Sequence, residues 1–400
     1  MIALLRTPHG HLAVTPAGWD APMHARARLA AAAALGLILL TAQPAAAGEH
    51  HITVGFLGEH RIPPGTTFNG TTVGGFSGLD RDGDTWFVVS DDRSALQPAR
   101  FYTAALRFDG PAGHLSGVEL TGTHPFRRAD GSTYPALKGG DGTTPDPEDI
   151  RVDPQTHELA WSQEGERIVP TDGTPPTLID PGVRFATRDG AFVRDLPLAP
   201  EQKPSAQEHG IRQNLGPEGL TFAEGGDLVV TAVEGPLLQD GPVPTRTAGA
   251  LSRIVLQSRA GDVRAQYVYQ QEPLFADPVP ADKLASTGVT AILAIDADDP
   301  SRFLVLERSF VTGVGNKVRL YEIDTFGATD VSATGTLEGA KPVRKHLVAD
   351  IGDLPVASVD NIEGMAWGPD RPDGTQTLVL VSDDNFSETQ VTQFIALDVR

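Results

Sequence analysis

The chain contains no cysteine, so no disulfide framework stabilises it, and a large core or an array of repeats must carry its stability instead. Basic residues are scarce. Thirty-two lysines and arginines stand against 52 aspartates and glutamates, a formal charge of −20. That balance argues against nucleic acid and anionic membrane surfaces as partners, and for solubility or cation binding. No apolar run is long enough to cross a membrane: the longest, Leu29 to Leu40, falls short of the roughly twenty residues a span needs.

That run reads as the apolar centre of a secretory signal peptide, because Arg26 and Arg28 precede it and Ala45-Ala46-Ala47 follows it. Cleavage is expected after Ala47, leaving residues 1–47 as leader and signal and residues 48–400 as one mature domain. The first 22 residues contain Pro8, Pro16 and Asp20, which points to Met23 as the true start. Ala27 separates the two arginines, disfavouring a twin-arginine signal and favouring Sec-type export to the periplasm or exterior. Cleavage removes Arg6, Arg26 and Arg28 but only Asp20 among the acids, so the formal charge moves from −20 to −22.

Several catalytic signatures are missing. Gly75-Phe76-Ser77-Gly78-Leu79 lacks the last glycine of a nucleophile elbow, and no H-E-x-x-H occurs. His114, His124, His157, His209 and His346 are scattered singly. Asp80-Arg81-Asp82-Gly83-Asp84 has its glycine in the wrong place for a calcium-binding EF loop and reads as turn chemistry.

What the sequence does contain is a repeat. Five segments read as strand, tight turn, strand; aligning Ser77, Glu148, Glu218, Ala291 and Glu363 gives spacings of 71, 70, 73 and 72 residues. Two more strand-like runs follow each hairpin, as in Arg100 to Phe108 with Gly117 to Gly122. Four strands per repeat is the pattern of a propeller blade. The expected fold is all-β, a single β-propeller of five blades, with six the alternative if a connection hides a degenerate blade. The last repeat shows one clear strand, Val391 to Val399, after its hairpin. Its missing partner is expected to be the N-terminal strand, His51 to Leu57, which closes the ring and removes an exposed edge. The Pro/Gly/Asp-rich stretches 128–147, 200–216 and 274–288 read as connections.

Within each hairpin the first strand opens at the aligned position and the second closes on an acid. The pairs are Ser77/Asp91, Glu148/Glu164, Glu218/Glu234, Ala291/Glu307 and Glu363/Asp383. Antiparallel strands return to the side they left, so both members of each pair sit at one face of the disc. If the first strand is innermost, eight carboxylates surround the channel mouth: Asp91, Glu148, Glu164, Glu218, Glu234, Glu307, Glu363 and Asp383. Arg93, Arg308, Lys317 and Arg319 are too few to neutralise them, and a divalent cation completes the balance. Oxygen donors, with Asn361, Asp384 and Asn385 adjacent, suit calcium better than zinc or copper.

Five stretches carry a family resemblance: Asp146-Pro147-Glu148-Asp149-Ile150, Asn214 to Leu220, Leu306-Glu307-Arg308-Ser309, Asp360 to Gly364, and Val381 to Phe386 with Gln390. From Gly75 to Val399 the chain resembles the phytase-like family, labelled as having esterase-like activity. The resemblance implies a β-propeller and metal-assisted hydrolysis of phosphate esters by a monomer acting on a small molecule. On that reading Glu218, Glu307 and Glu363 are the candidate catalytic carboxylates, and Arg308 and Arg93 hold phosphate oxygens. Hydrolysis of a lactone or carboxylic ester, and a non-catalytic calcium-stabilised binding module, are the alternatives.

Overall fold

The computed structural model describes residues 51–110 and 113–400; the expected leader and signal peptide, residues 1–47, lie outside the described residues. Runs such as Leu378-Val379-Leu380-Val381 are apolar on both faces, so a strand made from them must be covered on both sides. Five four-stranded antiparallel sheets satisfy that demand by packing face to face. Blade 1 is built from Phe76–Asp82, Thr85–Ser90, Arg100–Asp109 and His114–Pro125. Blade 2 comprises Pro147–Val152, Leu159–Gln163, Gly182–Ala186 and Phe192–Pro197. Blade 3 comprises Pro217–Ala223, Leu228–Val233, Leu251–Ser258 and Val263–Gln270. Blade 4 comprises Ala285–Ala294, Arg302–Val311, Gly315–Asp324 and Arg344–Asp350. Blade 5 takes Asn361–Trp367, Gln376–Asp383 and Thr392–Val399 from the end of the chain and Val54–Ile62 from its beginning.

The strand expected to close the ring does so, shifted three to five residues along: Val54 pairs with Val399 and Ile62 with Thr392. Five blades stand, not six. The connection expected over 274–288 is shorter, because strand begins at Ala285. Among the described residues no helix is long and apolar enough to cross a membrane.

The core is divided into layers between blades. Leu378 and Leu380 pack toward blade 4, with Leu304, Leu306 and Leu320. Val379 and Val381 face the other way, onto Phe76, Leu79 and Val88 of blade 1. Equivalent layers join blades 1 and 2 around Trp161, 2 and 3 around Phe185, and 3 and 4 around Phe303. Each large side chain so buried stabilises the fold by roughly 1.5–3 kcal/mol.

The first strand of every blade lies against the first strands of its two neighbours, closing a ring around the central channel. Below the mouth the channel is plugged. The Arg151 guanidinium donates to the carbonyl oxygens of Leu79 (2.6 Å), Leu220 (2.6 Å), Met365 (2.9 Å) and Ile292 (3.4 Å), one from each other blade. Asp149 accepts from the same guanidinium at 2.8 Å.

Candidate metal centre

Each blade interrupts its innermost pairing at the same place. The Cα partners skip between Phe76 and Gly78, Pro147 and Ile150, Pro217 and Gly219, Val289 and Ala291, and Ile362 and Gly364. A bulge of this kind re-aims the extra residue's side chain. The extra residues are Ser77, Glu148 with Asp149, Glu218, Thr290 and Glu363. In every blade but the second, where Ile150 stands, a small residue follows the bulge because neighbouring strands nearly touch: a Cβ on Gly219 would sit 2.7 Å from the Ile292 nitrogen, and one on Gly364 2.7 Å from the Ser77 oxygen.

This register corrects the alignment of blade 4 by one residue. Thr290, not Ala291, occupies the bulge, and the residue one past the partner of its neighbour is Arg308, not Glu307, since Val289 pairs with Glu307. A slip of one residue turns a strand side chain to the opposite face. Glu307 accordingly leaves the ring: it accepts from Tyr269 Oη at 3.0 Å, Lys345 Nζ at 2.9 Å and the Glu272 amide at 3.2 Å. Arg308 takes the ring position and bonds Glu234 and Glu363, each at 3.2 Å. The mouth thus holds seven of the eight expected carboxylates and one guanidinium.

Two tight acidic groups form within it. Asp91, Asp146 and Glu148 each offer an oxygen within 4.8 Å of the others, and Glu164, Glu218 and Glu234 do the same. Asp146 is the residue the repeat comparison missed; it stands two before the bulge, where blade 5 has Asn361 and blades 1 and 3 have Gly75 and Gly216. Asp146, Gly75 and Gly216 share one signal, since their carbonyls accept the amides of Glu164, Asp91 and Glu234. Arg93 touches this side of the ring through Asp146 at 3.1 Å and through Glu166.

The cavity above these groups measures about 420 Å³ and is lined by Asp91, Glu148, Glu218, Glu363 and Asp383, with Asn361, Asn385 and Arg308. Asp384 lies beside it but is consumed structurally, accepting from the amides of Gly75 (2.9 Å) and Phe386 (3.0 Å) and from Thr392 Oγ1 (2.9 Å). Lys317 and Arg319 pair with Asp350 rather than with the ring.

Burial, followed by repulsion from neighbouring carboxylates, pushes Asp91, Glu148, Glu218 and Asp383 well above the usual carboxylate range. The same causes bring Glu164 to about 8, through Glu234, and Asp146 to about 8, through Glu164. Glu234 rises to about 7 by burial even though Arg308 opposes the shift. Asp91 Oδ1 and Glu234 Oε2 are buried without a hydrogen-bond partner. Orphaned buried oxygens amid carboxylates starved of counter-charge are what a hard, oxygen-preferring cation satisfies, so the residues present fit a calcium-type ion.

A family model described as "Phytase-like: Esterase-like activity of phytase" matches residues 71–386. The chain belongs to the phytase-like family. No curated protein sequence matches it. Similar solved structures include a periplasmic gluconolactonase from Pseudomonas aeruginosa, 13% identical, covering 81% of this chain and 86% of that one at a TM-score of 0.32. The soluble aldose sugar dehydrogenase of Escherichia coli is 11% identical, with 88% and 99% covered and a TM-score of 0.37. At these scores the likeness says nothing about what this phytase-like chain binds or does.

Proposed function

We propose that this phytase-like propeller is an exported, calcium-dependent hydrolase of phosphate esters that works at the acidic mouth. The observation that carries the reading is the pair of carboxylate groups, Asp91 with Asp146 and Glu148, and Glu164 with Glu218 and Glu234, each holding one oxygen without a partner, of which Asp91, Glu148 and Glu218 open on the same cavity as Arg308. These six residues would hold the cation, with Asp383 and Asn361 on the same wall. A bound divalent cation supplies Lewis acidity and neutralises the carboxylates so that an anionic substrate is not repelled.

The chain's own groups divide the remaining tasks. Arg308 stands in the cavity wall with its side chain 13% exposed, a guanidinium placed to meet a phosphoryl oxygen. Glu363 Oε1 is held by Asn361 Nδ2 at 2.9 Å and by Arg308, which leaves Oε2 for a water in the cavity. A carboxylate fixed in this way positions that water and accepts its proton. Glu218, between the two walls, is a cation holder and second carboxylate at the reacting centre. Glu307 lies outside the cavity and has no part in this scheme.

The test is a comparison of phosphate monoesters with lactones and carboxylic esters, using purified mature protein with calcium and with chelator. Calcium-dependent release of phosphate, abolished by chelation, is the expected outcome. Turnover of lactones or carboxylic esters alone would move the reading to that class, and calcium-dependent melting without turnover on either panel would make the protein a binding module.

A further inference from the structure

Blade 4 differs from the other four at the mouth. Its two innermost strands continue for four pairs beyond Val289–Glu307, out to Ala285–Val311. The other blades stop near their bulges, at Phe76–Ser90, Pro147–Gln163, Pro217–Val233 and Asn361–Asp383. The projecting hairpin carries Phe310, and Leu284, 65% exposed, immediately precedes it. Leu215, Pro236, Pro244 and the 43%-exposed Val243 give a second cavity of about 360 Å³ its apolar side, with Glu234, Ser286 and Thr287 on the side toward the ring. Asn214, Leu284, Arg308 and Phe310 belong to the walls of both cavities.

An apolar chamber sharing a wall with a ring of carboxylates has a specific consequence for substrate choice. Exposed leucine and valine on one cavity gain by covering apolar surface, and cavities of about 150 Å³ already hold a benzene ring. The charge on the other side is equally selective. Arg308 is shared with Glu234 and Glu363, and Arg93 is taken up by Asp146 and Glu166, so beyond the cation and Arg308 the ring offers no further cationic side chain for additional phosphoryl groups.

We propose that the substrate carries a single phosphoryl group on an apolar alcohol, aryl or short alkyl, with the phosphoryl at Arg308 and the apolar group in the chamber between Phe310, Leu284 and Val243. This rests on the phosphate-ester reading above and narrows it. Arg308, in both walls, sets the phosphoryl group at the junction, and the length of the blade 4 hairpin sets the depth of the chamber.

Calorimetry on the calcium-loaded protein with phenylphosphonate and methylphosphonate decides the matter without turnover, since the two ligands share a head group and differ only in the apolar part. Phenylphosphonate is expected to bind about tenfold tighter. Leu284→Ser and Val243→Ser, both at exposed positions that spare the core, are each expected to reduce that preference. The ratio of kcat/KM for 1-naphthyl phosphate over glycerol 2-phosphate should be about tenfold or more and fall in the same variants, with inositol hexakisphosphate the poorest substrate. Equal affinities, failure of phenylphosphonate to bind, or an unchanged preference in both variants overturns the proposal. Absence of all phosphate-ester hydrolysis overturns the phosphate-ester reading instead, while the phosphonate comparison still decides whether the chamber takes an apolar group.

Discussion

Arg151 on blade 2 donates a 2.6 Å hydrogen bond to the Leu79 carbonyl on blade 1, and the same side chain reaches a carbonyl on each of the remaining three blades. The charge is only 2% exposed, so its desolvation is offset by these acceptors and by Asp149. Even with that partner, burial lifts Asp149 to about 7. Replacing Arg151 with methionine leaves the inner strands of the four other blades without their common donor and Asp149 without a counter-ion. A loss of roughly 3–5 kcal/mol is expected, read as a lowered denaturation midpoint in calcium-free and calcium-loaded protein alike. A methionine variant as stable as the parent would show that packing alone joins the blades.

The mouth makes stability depend on pH in an unusual direction. Burial and neighbouring carboxylates raise the folded-state pKa values above those of the unfolded chain, to about 7 for Glu234 and about 8 for Asp146 and Glu164. The folded protein therefore holds protons that the unfolded chain has released above about pH 4. The stability linked to these groups is complete below the ordinary carboxylate range and is lost as pH rises through 7 to 8. Metal-free protein is expected to melt at a lower temperature at pH 8 than at pH 5. Calcium should raise the melting temperature more at pH 8, and its binding should release protons, measured by calorimetry in buffers of different ionisation heat. Proton-silent binding, or a metal-free melting temperature that climbs from pH 5 to 8, contradicts this account of the ring.

Glu218 separates the costs of the ring from its use. Its carboxyl is held high by burial, then by Glu234 and Glu363, so glutamine in its place keeps the shape and removes the repulsion. Glu218→Gln should stabilise the metal-free protein at pH 8 by roughly 1 kcal/mol or more and weaken calcium binding at least about tenfold. Opposite signs in the two measurements are the signature of a ligand position. Destabilisation in the absence of metal would make Glu218 a structural acid.

The blade count and the ring closure were legible in the sequence because both follow from a repeat period and from the need to cover an edge strand at Thr392–Val399. Seven of the eight mouth carboxylates were legible because hairpin geometry returns the second strand to the level of the first. Glu307 was not placed correctly, since the repeat comparison assumed the acid itself marked the register, whereas the bulge marks it and leaves no trace in composition. Asp146 escaped for a related reason: it lies before the strand, at a position where blades 1 and 3 contribute only the carbonyls of Gly75 and Gly216. Asp384 looked like a ligand from its neighbours, yet its oxygens are spent on Gly75, Phe386 and Thr392, contacts across more than 300 residues in the first case.

The one-residue distinction between Glu307 and Arg308 can be tested directly. Arg308→Met removes the guanidinium that joins Glu234 on blade 3 to Glu363 on blade 5 and would contact a phosphoryl oxygen. Loss of such a donor costs roughly 10²–10³ in kcat, and the variant should show it with calcium still bound. Glu307→Gln instead disturbs a buried cluster away from the cavity, leaving Lys345 with Glu272 at 3.0 Å as its remaining acid. That change is expected to lower stability by roughly 1–3 kcal/mol and to leave kcat within about twofold, because Lys345 and Tyr269, its partners, do not face the mouth. A Glu307 variant that loses turnover while melting normally would return that residue to the reacting centre and with it the register that the bulge at Thr290 excludes.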